Sequence, residues 1–203
     1  MKTYPLGTVR ALLDTDLVTA PTRDALRARL DDHDADASAR FFDAEEMLTL
    51  RAACARLIPQ DDRAEQVDVA RGIDQRLADN LSDGWRYHSM PPDAEAYRRG
   101  LRGLDEAARE LFTRPFRELD GEQRDAVLLT LQHGTAPGAT WQTLPPSRFF
   151  EELLVEVTAS FYAHPSAQEE IGYVGMADAH GWTVIGLNEL AAHEPRALED
   201  THG

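Results

Sequence analysis

Between Pro146 and Pro165 the chain reads SRFFEELLVEVTASFYAH, and no other stretch restricts the fold so tightly. Phe150, Leu153, Leu154, Val157 and Phe161 recur at offsets of three and four, which sets them on one face of a helix with a 3.6-residue period. Ser147 is placed to cap the first turn, and Glu151 and Glu152 lie toward the positive end of the helix dipole. Pro165 has no amide hydrogen and disfavours helical backbone at His164, so the helix is predicted to end there. Burying the stripe is worth at most roughly 8–15 kcal/mol. The chain then changes character up to Trp182, with Gly172, Gly175 and Gly181, the aromatic Tyr173, and little periodicity. A strong helix running into a glycine- and aromatic-bearing loop suggests a scaffold that presents a recognition surface.

The remaining segments repeat the helical pattern. Asp43 and Glu46 form an aspartate version of a capping box ahead of a stripe of Met47, Leu50, Cys54, Leu57 and Ile58, which Pro59 terminates. A second helix is predicted from about Gln66 to Leu81, carrying Val67, Ala70, Ile73, Leu77 and Leu81. Asp74 borders that stripe; a buried polar contact is open to it, and a place at the edge of the face, in water, is the expectation. Asp93 opens a helix bearing Tyr97, Leu101, Leu104, Ala108, Leu111 and Phe112, in which Gly100 and Gly103 each cost about 1 kcal/mol unless another backbone packs closely there. Asp120 with Gln123 starts a further helix that buries Val127, Leu128 and Leu131 and ends at Gly134, with His133 in its last turn. Residues 1–40 form an arm with two short helical signals, around Val9–Leu13 and from Pro21 to Leu30, followed by an acidic linker. The predicted fold is all-α: an irregular bundle of five or more amphipathic helices joined by long proline, glycine and aromatic loops. One stretch, WTVIGL at 182–187, has strand character. The expected organisation is the arm and linker at 1–40, a helical domain at 41–190 and an acidic tail at 191–203.

The chemistry-bearing motifs are missing. There is no glycine-rich phosphate or dinucleotide loop, no H-E-x-x-H and no G-x-S-x-G. A formal charge of −15 argues against nucleic acid and anionic membrane surfaces, and no apolar run is long enough to span a bilayer. Cys54 is the only cysteine, which excludes an internal disulfide and cysteine-ligated clusters; it is expected as a small buried hydrophobe. No two histidines lie three or four apart, and His33, among aspartates in the linker, has no rigid frame to hold a metal. His164 has two readings: a helix-end cation, or part of a site where it converges with Tyr162 and His180. Trp141, Tyr162, Tyr173 and Trp182, in or beside loops, either fold back on the core or serve as anchors for a partner.

Three stretches carry a resemblance: FFDAEEMLTLRAACARLIPQDD, with its phenylalanines, acidic helix and Leu-Ile-Pro ending; VDVARGIDQRL, with the Ile73-Asp74 step; and WQTLPPSRFFEELLVEVTASFYAHPSAQEEIGYVG. Over roughly residues 41–182 the chain resembles the gluconate 2-dehydrogenase subunit 3 family, the small subunits of FAD-dependent sugar and polyol dehydrogenases of the glucose–methanol–choline type; the IGYVG stretch suggests the branch paired with glucoside 3-dehydrogenase-like flavoproteins. The resemblance implies a subunit with no catalytic, cofactor or metal residues of its own, which helps its large partner fold and take up flavin while the partner holds FAD. It points to Trp141, Tyr162, His164, Pro165, Gly172, Tyr173, Gly175 and Trp182 as the partner interface, a surface open to self-association where the partner is absent. Many such small subunits carry a twin-arginine signal; here Arg98 and Arg99 are internal and the N-terminal segment has no hydrophobic run, so a cytoplasmic complex is expected. Two alternatives stand beside it: a free-standing metal-dependent enzyme using His164 and His180, and a folding factor that leaves after maturation.

Overall fold

The computed structural model describes residues 5–31, 38–63, 65–81 and 87–173; the acidic linker around His33, the strand-like stretch at 182–187 and the tail fall outside them. Among the described residues there are eight α-helices and no strand, so the chain is all-α. It divides into two units, one of residues 37–161 and one that joins the N-terminal arm to the chain from Tyr162 onward. The arm is thus grouped with the far end of the sequence.

In the larger unit, α3 (Ala44–Leu57) starts on the expected capping box: the Glu46 amide donates to the Asp43 carboxylate at 2.8 Å, and the Asp43 amide to Glu46 at 3.1 Å. Its buried face is broader than the stripe, since Thr49, Ala52 and Ala53 join Met47, Leu50 and Cys54, while Leu57 and Ile58 are only half-buried. Helix α4 (Val69–Ala78) begins later than Gln66 because the Gln60 side chain holds the preceding loop, accepting from the Val67 amide at 2.8 Å and donating to its carbonyl at 3.0 Å. It ends in a Schellman motif with Asn80 at φ 51°, which turns Leu81 out into solvent.

Helix α5 (Asp93–Phe112) is the hub, touching α3, α6 (Gly121–Gln132) and the two 3-10 turns at Phe116–Glu118 and Thr140–Gln142. Its buried side combines Tyr97, Leu101 and Leu104 with Ala96, Gly100, Gly103, Ala107 and Ala108, while Leu111 is exposed. The glycines admit aromatic side chains, not another backbone: a Cβ on Gly100 would lie 2.0 Å from the Phe149 ring, and one on Gly103 would lie 2.4 Å from the Trp141 indole. Helix α6 has the second expected capping box, Asp120 with Gln123, and buries Val127, Leu128 and Leu131. Gly134, at φ 72°, closes its C-terminal Schellman motif.

Helix α7 (Pro146–Tyr162) begins one residue ahead of Ser147, which lies inside it, and buries Phe149, Phe150, Leu153, Val157 and Phe161. Leu154 leaves the predicted stripe and is 37% exposed, its place in the core taken by Phe149. Asp74 also departs from expectation. It is buried, and its carboxylate accepts the backbone amides of Arg40 (2.7 Å), Phe41 (3.0 Å) and Phe42 (2.9 Å), fixing the entry to α3.

The smaller unit contains α1 (Thr8–Leu13), α2 (Ala20–Leu30) and α8 (Pro165–Glu170). Val9, Leu13, Val18 and Leu30 form its apolar cluster, with Leu12 and Leu26 against it. Helix α7 ends at Tyr162, two residues short of His164, and Pro165 starts α8 where an irregular loop was expected. Proline at a first helical position costs no hydrogen bond and comes with its φ already set.

Candidate partner interface

Trp141 belongs to the core and not to the surface. The indole lies over Gly103, donates its N–H to the Gly103 carbonyl at 3.2 Å, and sits 5.8 Å from the Phe149 ring centre. Glu106 pins its turn, accepting from the Thr140 amide at 2.8 Å and the Thr140 hydroxyl at 3.0 Å. A glycine one long helix away made the recess, which nothing in the local sequence of the loop announces.

His164 stands at the start of α8 and not in the last turn of α7. Its Nδ1 accepts from the Ser166 amide at 3.3 Å and lies 2.8 Å from the Ser166 hydroxyl; Nε2 lies 3.0 Å from the Arg29 carbonyl. A carbonyl only accepts, so the bonding assigns the proton to Nε2 and leaves Nδ1 as the helix cap. The imidazole therefore joins the end of α2 to the start of α8. His180 falls outside the described residues, and among those described no group of three or more histidine, cysteine, aspartate or glutamate side chains is arranged to hold a metal.

Pro165 is buried beside this cap. Gly172, at φ 74°, makes the αL position of a Schellman motif: its amide donates to the Glu169 carbonyl at 3.0 Å and that of Tyr173 to the Gln168 carbonyl at 2.9 Å. The Gln168 side chain donates in turn to the Tyr162 carbonyl at 2.8 Å, so one residue bonds the backbones of both tyrosines. Tyr162 and Tyr173 are 38% and 49% exposed, and Ile171 between them, which the sequence reading passed over, is 41% exposed. Gly175 and Trp182 lie outside the described residues. In the larger unit, α7 adds an outward pair, Leu154 and Val155, the latter 66% exposed. A helix apolar on both sides has more apolar surface than its own core covers.

Two buried polar features were not evident in the sequence. Arg76 donates to Glu156 at 2.7 Å and to Asp93 and the Leu81 carbonyl at 2.9 Å, with its guanidinium 6.0 Å from the Tyr97 ring centre. Burial works against that charge, yet Asp93 and Glu156 hold it well above the ordinary arginine value. Burial first, then Glu156 and Glu152, pushes the Tyr97 phenol well above its usual range, so it stays protonated at neutral pH. Beside Cys54 runs a groove of about 360 Å³, lined by Arg51, Gln60, Val67 and Asp68 among others. Burial pushes the Cys54 thiol up to about 12, which leaves the groove without a thiolate nucleophile.

These features define an all-α protein with exposed tyrosine and aliphatic side chains at the ends of α7 and α8. The model of one family, gluconate 2-dehydrogenase subunit 3, matches residues 44–186, from the first residue of α3 past the end of α8, and the chain belongs to that family. No curated protein and no solved structure matches it.

Proposed function

We propose that this chain is a non-catalytic small subunit of an FAD-dependent sugar or polyol dehydrogenase of the glucose–methanol–choline type, glucoside 3-dehydrogenase-like, and that it assists folding and flavin loading of the large subunit. The family match over residues 44–186 carries the proposal. The surface supports it: Tyr162, Ile171 and Tyr173 offer the aromatic and aliphatic anchors typical of interface centres, and Leu154 and Val155 extend apolar exposure along α7. Trp141 lies in the core of the larger unit and takes no part in this surface. FAD belongs to the large subunit, and the complex is placed in the cytoplasm.

Co-expression with the large subunit tests the proposal. The expected result is a yellow complex that co-purifies, while this chain alone is colourless. Tyr173→Ala together with Ile171→Ala weakens the complex by roughly 10-fold or more, the scale of a central anchor. A large subunit that is soluble, flavin-loaded and active without this chain overturns it.

A further inference from the structure

Helices α3 and α5 pack against each other, and toward the start of α3 they leave a polar cavity of about 230 Å³. Most of its charged lining is engaged by the fold. Glu46 accepts from Arg98 at 3.2 Å, Glu45 from Arg117 at 3.0 Å, and Asp105 from Arg109 at 3.2 Å and from the Phe116 amide at 2.9 Å. Two charges of opposite sign are left over. Asp43 gives one carboxylate oxygen to the Glu46 amide as the cap of α3, and its other oxygen takes no donor among the described residues. Arg102, on α5, lines the same cavity and forms no hydrogen bond or ion pair with any described residue, the carboxylates beside it included.

A third open group lies deeper. Thr49 is 3% exposed and lines the cavity, and its hydroxyl makes no hydrogen bond with a described residue. A threonine hydroxyl inside a helix can bond the carbonyl one turn back, as that of Thr158 does to Leu154 at 2.7 Å; that of Thr49 does not. Among the described residues, the fully enclosed side-chain atoms without a partner belong to Arg76, Tyr97, Arg117 and Arg124. The Thr49 hydroxyl therefore keeps a small exposure, and the cavity is where it opens. An acceptor on α3, a guanidinium on α5 and a buried hydroxyl thus meet in one cavity with nothing of the fold to bind.

We propose that this cavity binds a small zwitterion, an amino-acid-like molecule with an ammonium and a carboxylate a few carbons apart. The ammonium meets the open oxygen of Asp43, and the carboxylate takes the Arg102 guanidinium and the Thr49 hydroxyl. A neutral ligand leaves both protein charges unmatched, and a ligand of one sign leaves one of them so. The carboxylates are not grouped to hold a metal ion. The volume lies below the range of about 300–1,000 Å³ that drug-sized ligands occupy, so the ligand is a smaller molecule. None of these residues belongs to the candidate partner interface, and the ligand binds with or without a large subunit.

Isothermal titration of the full chain with glycine, β-alanine and γ-aminobutyrate, whose two charges stand at increasing separation, tests it. At least one is expected to bind saturably with a Kd at or below about 1 mM, and its amine-only and carboxylate-only analogues at least about 10-fold more weakly. Arg102→Gln is expected to weaken that binding by roughly 10- to 100-fold and Thr49→Val by roughly 3- to 10-fold. Neither side chain is bonded within the fold, so both variants are expected to unfold at the wild-type urea midpoint. Asp43→Asn keeps the helix cap, removes the charge and weakens binding by about 10-fold. No saturable binding of any of the three at about ten times that concentration overturns the proposal, as does a single-charge analogue that binds equally well or an Arg102→Gln variant that binds like wild type.

Discussion

Asp74 offers the sharpest test of how the larger unit is held. Its side chain is 2% exposed, and Oδ1 accepts from Phe41 and Phe42 while Oδ2 accepts from Arg40. Alanine strands three amides of unequal cost. Arg40 is exposed and water replaces its lost partner, Phe41 is half-buried, and the Phe42 amide is enclosed beneath a ring that is itself 4% exposed. At about 1–3 kcal/mol for each buried donor left without an acceptor, and less for one that water reaches, Asp74→Ala costs about 3–5 kcal/mol. Asparagine separates the two oxygens. Its carbonyl keeps the pair at Oδ1, while its amide sets donor against donor at Arg40, where solvent relieves the conflict; Asp74→Asn therefore costs about 1–2 kcal/mol. Urea unfolding followed by far-ultraviolet circular dichroism, with the denaturant slope unchanged, gives both values. Equal losses for the two variants, or an alanine variant within about 1 kcal/mol of wild type, refute this role for Asp74.

Other consequences are brief. Arg76→Met leaves Asp93 and Glu156 facing each other across a site only about one-fifth exposed, and should destabilise by about 3–5 kcal/mol in the same assay. Cys54 should resist thiol reagents at pH 8 in the native chain and react on unfolding, because burial holds its proton up to about 12. Since that folded value lies above the ordinary one near 9.0, the contribution is complete below about pH 9 and is lost as the pH rises toward 12; a stability profile flat across that window refutes the assignment.

Local signals carried far along this chain and then stopped for a physical reason. Both capping boxes, at Asp43 and Asp120, stand where the sequence places them, because a cap closes within three residues. Periodicity located the helices but not which face finds a neighbour, so Leu81, Leu111 and Leu154 were counted with the core and stand in solvent. The contacts that local signals could not show join residues remote in sequence: Trp141 to Gly103, Asp74 to Phe42, Glu169 to Val9. Of the candidate interface residues, Tyr162 and Tyr173 could be drawn from aromatic side chains in or beside loops. Ile171 could be found only through its place in the IGYVG stretch, and of the two readings open to Trp141 the core is the one it takes, because Gly103 leaves the recess that the local sequence does not announce.

The glycines of α5 turn that lesson into a measurable coupling. Mid-helix glycine costs about 1 kcal/mol against alanine, so an isolated α5 would gain from Gly100→Ala. In the fold, the new methyl would lie 2.0–2.5 Å from three atoms at the far edge of the Phe149 ring, closer than carbon atoms tolerate. That ring is fully buried, held by Tyr97 with ring centres 5.9 Å apart and by Trp141 at 5.8 Å, so it has no side to move toward. Overpacking of this kind costs about 1–3 kcal/mol and exceeds the propensity gain. Phe149→Leu alone loses ring contacts, and it also removes the atoms that the methyl would strike. The two substitutions made together should therefore be less damaging than their sum by about 1–3 kcal/mol, the coupling expected of residues in direct contact. Additivity within about 0.5 kcal/mol would mean that Gly100 is tolerated in α5 and not required by the ring.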